Sequence, residues 1–565
     1  MLIRTTALSV LLATTVLTAQ AQAQAVPPSA LPAQVEPGRV GQRFNLDERP
    51  ALDSKPMATP PQQDTGPVDN TGPSFTLTRV NVQGNTAISS GKLSLIYKDM
   101  IGKTTTLGGV RKIASDITAY YRNQGYILTR AVVPPQRVEG GAVTIQIIEG
   151  FIDSVTFNGA EAQNQYLLKS YAEKIKLSRP LNNKDLERYL LLMDDLNGAT
   201  ARAVLSPSSS QPGASALTIT VEHDPIEGEI TADNRGSRFL GPIQTGARFA
   251  TNSLFGGSEK LQLRAIGASE WDELRYYEGS YQQPYGAEGA SLRFLTSYTE
   301  TEPGNFLERF DIEGKSLNFS LSSKHPIIRS RQENLYGEYG FRYRDSTTDV
   351  LSSNLYDDHI RAVFLSTGYD VLDPLMAVNR IDMELSQGVD IFDGNEHFDT
   401  KSRANADPKF TKLEGQYTRL QPLNEQISFF WGVAGQYAFS PLYSSEEFGV
   451  GSIPYGSAYD PAEITGDSGV ATRIEARLSN FLPETFINLY QLYAFYDYGK
   501  VWNRGVLIGE NEDDSLASTG VGVRFNLIRN ISGTFEIAVP MTRDVAAEGS
   551  GGDDVRGFFS LAWGF

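Results

Sequence analysis

Between Phe75 and Glu222 the apolar positions change period in a fixed order, and that order repeats after an offset of about 75 residues. Val80-Asn81-Val82-Gln83-Gly84 alternates as a strand and is answered by Val155-Thr156-Phe157-Asn158-Gly159. Two stretches of helical period follow in each copy. In the first copy they carry Leu93, Ile96, Tyr97 and Met100, then Val110, Ile113, Ile117 and Tyr120; in the second, Leu168, Tyr171 and Ile175, then Leu186, Tyr189, Leu190 and Met193. Gly125 and Gly198 stand where each second helix should stop. Two strand-like runs close each unit: 127–133 with 142–149, and 200–206 with 215–222. The pattern predicts two β-α-α-β-β units, over 75–150 and 151–224. A three-stranded sheet with helices on one face leaves an edge on which an extended polypeptide can add itself. One such edge strand is Leu128, Thr129, Arg130, Ala131, Val132 and Val133; on the residues alone an open edge and a blunted, idle one are equally expected, and which edge is open is not written in the sequence.

From Pro225 onward helical periodicity nearly vanishes. Short alternating segments take its place, separated by polar connections rich in Asp, Asn, Ser and Glu. Val521, Val523, Phe525 and Leu527 alternate with Gly522, Arg524 and Asn526; Phe535, Ile537 and Val539 alternate with Thr534, Glu536 and Ala538. This is the apolar-out, polar-in period of a lipid-facing strand, although a soluble sandwich also alternates. The end of the chain separates the two. Phe559, Leu561, Trp563 and Phe565 fall on one face of a final strand that stops on the aromatic itself, which a water-exposed terminus has no reason to do. The segment 225–565 allows about 21 residues per strand for 16 strands, with fourteen or eighteen also fitting. The expected fold is therefore a pair of α+β units followed by a transmembrane antiparallel β-barrel, with 16 strands as the central estimate.

The N-terminal segment sets the compartment. Arg4, an apolar run over 7–17 and the small-residue ladder Ala19-Gln20-Ala21-Gln22-Ala23-Gln24-Ala25 read as a cleaved secretory signal peptide over 1–25. The apolar run is about half the roughly 20 residues that a spanning helix needs. Residues 26–74 carry ten Pro, the composition of an extended tether. One island, residues 37–46, places Val40, Phe44 and Leu46 on one side of a short helix beside Arg39 and Arg43. Taken on its residues alone, the island is a turn of helix in a linker rather than a docked element.

Composition removes several chemistries. The chain has 565 residues, a net charge of −17 and no Cys, so disulfides, thiolate zinc sites and a cysteine nucleophile are excluded. Its four His show no metal-ligand spacing, and no basic stripe offers a nucleic acid its phosphate contacts. Neither a phosphate-binding loop nor a G-x-S-x-G motif appears, and acidic runs such as Glu512-Asp513-Asp514 read as solvated loop charge. The expectation is a protein that is not an enzyme, with no cofactor, no metal and no nucleic-acid partner.

Signal peptide, Pro-rich tether, two β-α-α-β-β units and a barrel ending in Phe together resemble the outer-membrane transporters of two-partner secretion. These are the TpsB exporters of hemolysins and hemagglutinins, a branch of the Omp85 superfamily. The resemblance implies that the small units are periplasmic POTRA domains meeting an unfolded, TpsA-like exoprotein with an N-terminal secretion domain. It further implies a barrel that conducts this exoprotein across the outer membrane of a Gram-negative bacterium, among lipid and lipopolysaccharide, as a monomer. Arg39, Val40 and Phe44 would then belong to a plug. Asp233-Asn234-Arg235-Gly236-Ser237-Arg238 is similar to the family's start of the first barrel strand, and Phe495-Tyr496-Asp497-Tyr498-Gly499 to its F-x-D-x-G strand motif. By alternation Asp497 faces the lumen, Tyr496 and Tyr498 the lipid.

Residues 448–469 resemble the family's long inward-folded loop, whose tip reads V/G-R-G-Y/F. Gly456, Ser457, Ala458, Tyr459 and Asp460 stand at that tip, with Ser457 and Ala458 in place of Arg and Gly. The resemblance implies docking of this tip near Phe495, Asp497 and Gly499. A buried carboxylate without its cation is costly, so Asp497 needs another partner, with Arg473, Arg477 and Arg524 as candidates. Val555-Arg556-Gly557-Phe558 spells the motif but lies in the last strand, and reads as coincidence. The function implied is export of a partner protein. The alternative is an Omp85-type factor that assembles other barrels.

Overall fold

The computed structural model describes residues 31–44, 52, 73–159, 163–208, 210–392, 400–482, 486–506, 511–527, 530–548 and 554–565. The expected signal peptide and most of the tether lie outside these residues. The island is a short helix, α1 (Pro37–Val40), continued by a 3-10 turn over Gly41–Phe44; Glu36 caps it by accepting from the Gly38 N–H at 3.2 Å. Leu46 lies outside the described residues.

The first repeat unit contains β1 (Phe75–Thr76), β2 (Arg79–Gln83), α2 (Ser90–Tyr97), β3 (Thr104–Thr105), α3 (Leu107–Asn123), β4 (Arg130–Val132) and β5 (Ala142–Ile148). Its sheet runs β2-β5-β4, and a small β1-β3 ladder that the sequence pattern did not announce sits beside it. Thr106 caps α3, and Gly125 at φ +92° lets the chain turn back after it. Val110, Ile113, Ile117 and Tyr121 of α3 pack on Val143, Ile145 and Ile147 of the central strand. Each such fully buried apolar side chain contributes roughly 1.5–3 kcal/mol. The second unit repeats the plan with β6 (Phe151–Asn158), α4 (Gln165–Leu177), α5 (Asn183–Asp194), β7 (Ala199–Pro207) and β8 (Ala214–His223), in the order β6-β8-β7.

The expected edge strand 128–133 is shorter in the structure. Only Arg130–Val132 pairs with β5, while Ile127 and Leu128 pack against the core of the second unit, and Thr129 is 1% exposed. The Ala131 N–H donates to Thr118 Oγ1 at 2.9 Å. This segment turns inward because it cements the two units. The Leu181 N–H donates to Gly150 O and the Asn183 N–H to Gly125 O, both at 2.8 Å, and the Arg179 guanidinium lies over the Phe151 ring.

The second unit stands on the barrel. Arg329 pairs bidentately with Asp195, both distances 2.7 Å; Arg188 and Lys174 meet Glu288; and Asn197 Nδ2 donates to Ser258 O at 2.7 Å. Leu192 fills the space over Gly289, where a Cβ would come within 2.4 Å of it.

The barrel begins with β9 (Ile226–Asp233), β10 (Gln244–Asn252), β11 (Lys260–Ala268), β12 (Leu274–Tyr285), β13 (Ala290–Thr301), β14 (Ile312–Arg329), β15 (Glu333–Val350), β16 (Ser353–Leu372), β17 (Val378–Gly388), β18 (Thr411–Pro422) and β19 (Ile427–Ala438). A short hairpin, β20 (Phe448–Val450) with β21 (Ile464–Gly466), is folded into the lumen. β22 (Ser468–Phe481), β23 (Ile487–Trp502), β24 (Asp513–Leu527), β25 (Ile531–Pro540) and β26 (Arg556–Gly564) complete a closed barrel of 16 antiparallel strands. Val521, Phe535, Ile537, Leu561 and Trp563 are exposed on its outer face, as the alternation requires. Among the described residues no helix is long and apolar enough to cross a membrane, and the strands do so instead. Asp233–Arg238 does not start the first barrel strand; it covers the end of β9 and the turn that leads outward from it.

Candidate functional site: the occupied barrel lumen

Strand alternation on β22 and β23 turns Arg473, Glu475, Phe495 and Asp497 inward, and all four are nearly or fully buried. Tyr496 and Tyr498 are exposed on the outer face. Asp497 meets Arg473: Arg473 Nη1 lies 3.1 Å from Asp497 Oδ2, and its guanidinium stacks on the Phe495 ring. The other two candidate arginines go elsewhere. Arg477 and Arg524 both pair with Glu475, at 2.6 and 2.9 Å.

The inward loop docks onto this pair. β20 and β21 form its stem, and Gly499 admits the stem, since a Cβ there would lie 2.5 Å from Val450. At the tip Gly456 adopts φ +101°, a conformation suited to glycine. The Ser457 N–H donates to Asp497 Oδ2 at 2.9 Å, and Ser457 Oγ accepts from Arg473 Nη1 at 2.6 Å. Ser457 and Ala458 are fully buried, Tyr459 and Asp460 almost so. Tyr459 Oη donates to Ala517 O at 3.1 Å. The serine hydroxyl thus bridges loop and wall where the resemblance implied an arginine, and the cation stands on the wall.

Arg556 is a residue that sequence reasoning set aside. Its Nη1 donates to Ala458 O at 2.6 Å and its Nη2 to Asp460 Oδ1 at 2.7 Å, so the motif-like string in the last strand touches the loop tip after all. Arg235 and Glu536 were missed as well: they pair at 2.9 Å, both buried, and Arg235 Nη1 reaches Ser457 O at 3.4 Å. Alternation marks Glu536 as inward-facing, but no local signal names its partner.

The N-terminal island lies inside the barrel, against the reading of a free turn in a linker. Val35 and Val40 are buried among Phe239, Leu240, Tyr276, Leu307 and Ile312, and Phe44 packs on Tyr276 with ring centroids 5.1 Å apart. Arg39 Nη1 donates to Ser444 O at 2.6 Å and to Glu447 O at 3.0 Å, both at the base of the inward loop. Gln42 donates to Ser445 O, and Tyr356 donates to the Glu36 carboxylate. A Cβ on Gly38 would come within 2.8 Å of Ser346 Oγ, so helix and wall are in close contact there. Polar cavities of about 340 and 630 Å³ remain beside the island, lined by residues such as Arg264, Glu278, Arg342 and Glu384. The described residues contain no cluster of three or more potential metal ligands.

The haemolysin secretion/activation protein family, ShlB/FhaC/HecB, matches residues 213–525, and the ShlB-type POTRA domain family matches 75–150. The chain is 23% identical over 486 residues to the heme/hemopexin transporter protein HuxB of Haemophilus influenzae strain 86-028NP, covering 83% of this chain and 84% of that protein. It is 22% identical over 465 residues to the outer membrane transporter CdiB of Dickeya dadantii strain 3937, covering 79% of each. The solved structure of CdiB from Escherichia coli superposes with a TM-score of 0.72 at 18% identity, over 91% of this chain and 94% of that one.

Proposed function

Since the chain belongs to the haemolysin secretion/activation protein family and is an outer-membrane transporter with periplasmic POTRA domains, we propose that it exports one partner exoprotein. The cargo arrives unfolded, pairs with an edge of the first POTRA sheet, threads the barrel once α1 has left, and folds at the surface. The observation that carries this reading is the occupied lumen. A 16-stranded barrel is stoppered from within by the chain's own N-terminal segment, held by a few hydrogen bonds and one apolar pocket. A passive pore has no use for a removable stopper or for POTRA domains.

For cargo pairing, β4 offers Arg130, Ala131 and Val132, with Val133 beside them; Leu128 packs at the joint between the units, and Thr129 is buried. The opposite edge, β2, offers five residues, of which Arg79, Asn81 and Gln83 are exposed. Lipid and lipopolysaccharide meet the outer face, and the transporter acts as a monomer.

Quantitative mass spectrometry of the extracellular and outer-membrane fractions, comparing a deletion strain with its complemented control, tests the reading. Loss of one large extracellular protein with other barrels unchanged identifies a dedicated exporter and its cargo. A joint fall of many outer-membrane proteins identifies an assembly factor and overturns it.

A further inference from the structure

Barrel closure is weakest in hydrogen bonds where β26 meets β9. The ladder proper has five residue pairs, Ser560–Gly564 with Asp233–Glu229, extended inward by the mutual backbone bonds of Gly228 and Phe565, against eight to eighteen pairs at every other described junction of the barrel. The ladder stops short on the outer side. β26 continues outward to Arg556, while β9 ends at Asp233. Asn234 follows it a little further, its N–H donating to Phe559 O at 3.2 Å and its side chain to Gly557 O at 2.9 Å. Beyond that point side chains from both strands turn inward to a third partner.

From the β9 side, Arg235 crosses over the Phe558 ring, 4.5 Å from its centroid, to Glu536 on β25 and to Ser457 O in the loop. From the β26 side, Arg556 lies near the same ring at 5.1 Å and binds Ala458 O and Asp460 Oδ1. The loop tip therefore accepts one cation from each side of the junction. Glu548 adds a second carboxylate to Arg556, at 3.3 Å, and also meets Arg238 at 3.2 Å.

We propose that the inward loop is a closing element of the barrel wall: residues 457–460 hold the outer end of the β26–β9 junction through Arg235 and Arg556, where the backbone ladder has run out. The loop supplies acceptors fixed in the lumen, and the two arginines carry the seam's load to it. Asn234 meets the last backbone groups of β26, accepting from the Phe559 N–H at 2.7 Å, and what the arginines add is attachment of both strand ends to one fixed partner inside the barrel. This assignment concerns the wall and is independent of what passes through the lumen.

Hydrogen exchange of the full-length protein in lipid nanodiscs tests it, with Asp460→Asn and Arg556→Gln compared with the unmodified chain. The expected result is at least tenfold faster exchange of the amides of 229–233 and 560–564, with β12 and β13 unchanged. The charge-swapped Asp460→Arg/Arg556→Asp protein should recover at least part of the protection. Because the chain has no cysteine, the register partners Ala232 and Leu561 can also be replaced by a disulfide pair, which should restore protection in the Asp460→Asn background. Unchanged exchange at the seam overturns the proposal. So does a uniform rise across all strands, or failure of both the swap and the crosslink to protect 229–233. Should Arg556→Gln not insert, Asp460→Asn carries the test alone, since it keeps the loop's shape.

Discussion

Two segments of the chain fill the barrel, and they are held in different ways. The inward loop is covalently anchored at both ends and fastened by charge: Arg473 between Asp497 and Ser457, Arg556 on Asp460. The N-terminal segment is fastened mostly by neutral acceptors. Arg39 and Gln42 donate to main-chain carbonyls, and Val35 and Val40 sit in an apolar pocket. Removing one partner of a buried ion pair strands the other charge, at about 3–5 kcal/mol, whereas a carbonyl released into a wet lumen finds water. One occupant is therefore locked to the wall by charge, and the other is held by contacts that water can replace.

The sharpest break of this contrast is Arg473→Ala. It leaves Asp497 unpaired and removes one partner of Glu475, so it should lower barrel stability by about 3–5 kcal/mol. The check is the denaturation midpoint of the purified protein, with secretion falling in parallel; an unchanged midpoint would mean that the loop is not charge-locked. Arg39→Ala should act oppositely. About 1.5–3 kcal/mol of docking is lost, so the open fraction in planar-bilayer recordings rises about tenfold or more while the barrel midpoint stays put. A fall in midpoint equal to that of Arg473→Ala would erase the distinction. Smallest is Ser457→Ala, which removes the hydroxyl between loop and Arg473 but keeps the N–H bond to Asp497. It should cost about 0.5–1.5 kcal/mol of stability and leave conductance unchanged.

The architecture was legible because it repeats. Helical and strand periods separated the POTRA units, and the one-sided aromatics of the last strand announced lipid. The site was legible only in part. Asp497 could be placed by alternation, and Arg473 was among the three arginines offered for it, all on inward-facing positions of nearby strands. Arg235, Glu536 and Arg556 could not be assembled in the same way, because pairs about 100 to 300 residues apart leave no local trace. Arg556 in particular reads as coincidence because its string lies in the last strand, and closure of the barrel is what brings that strand to the loop. The shortened β4 has a similar cause, for the segment before it is consumed by a neighbouring core that periodicity within one unit does not reveal.

If cargo pairs with a POTRA edge as proposed, the joint between the POTRA units and the Asp195–Arg329 clamp below it set how tightly that cargo needs to be gripped. With the first unit pinned to the second and the second to the barrel rim, a strand caught at the far edge is tethered at a fixed offset from the mouth. Its free end then searches a small volume, at an effective concentration on the order of millimolar. A weak grip is enough under those terms, and a weak grip is also one that lets go.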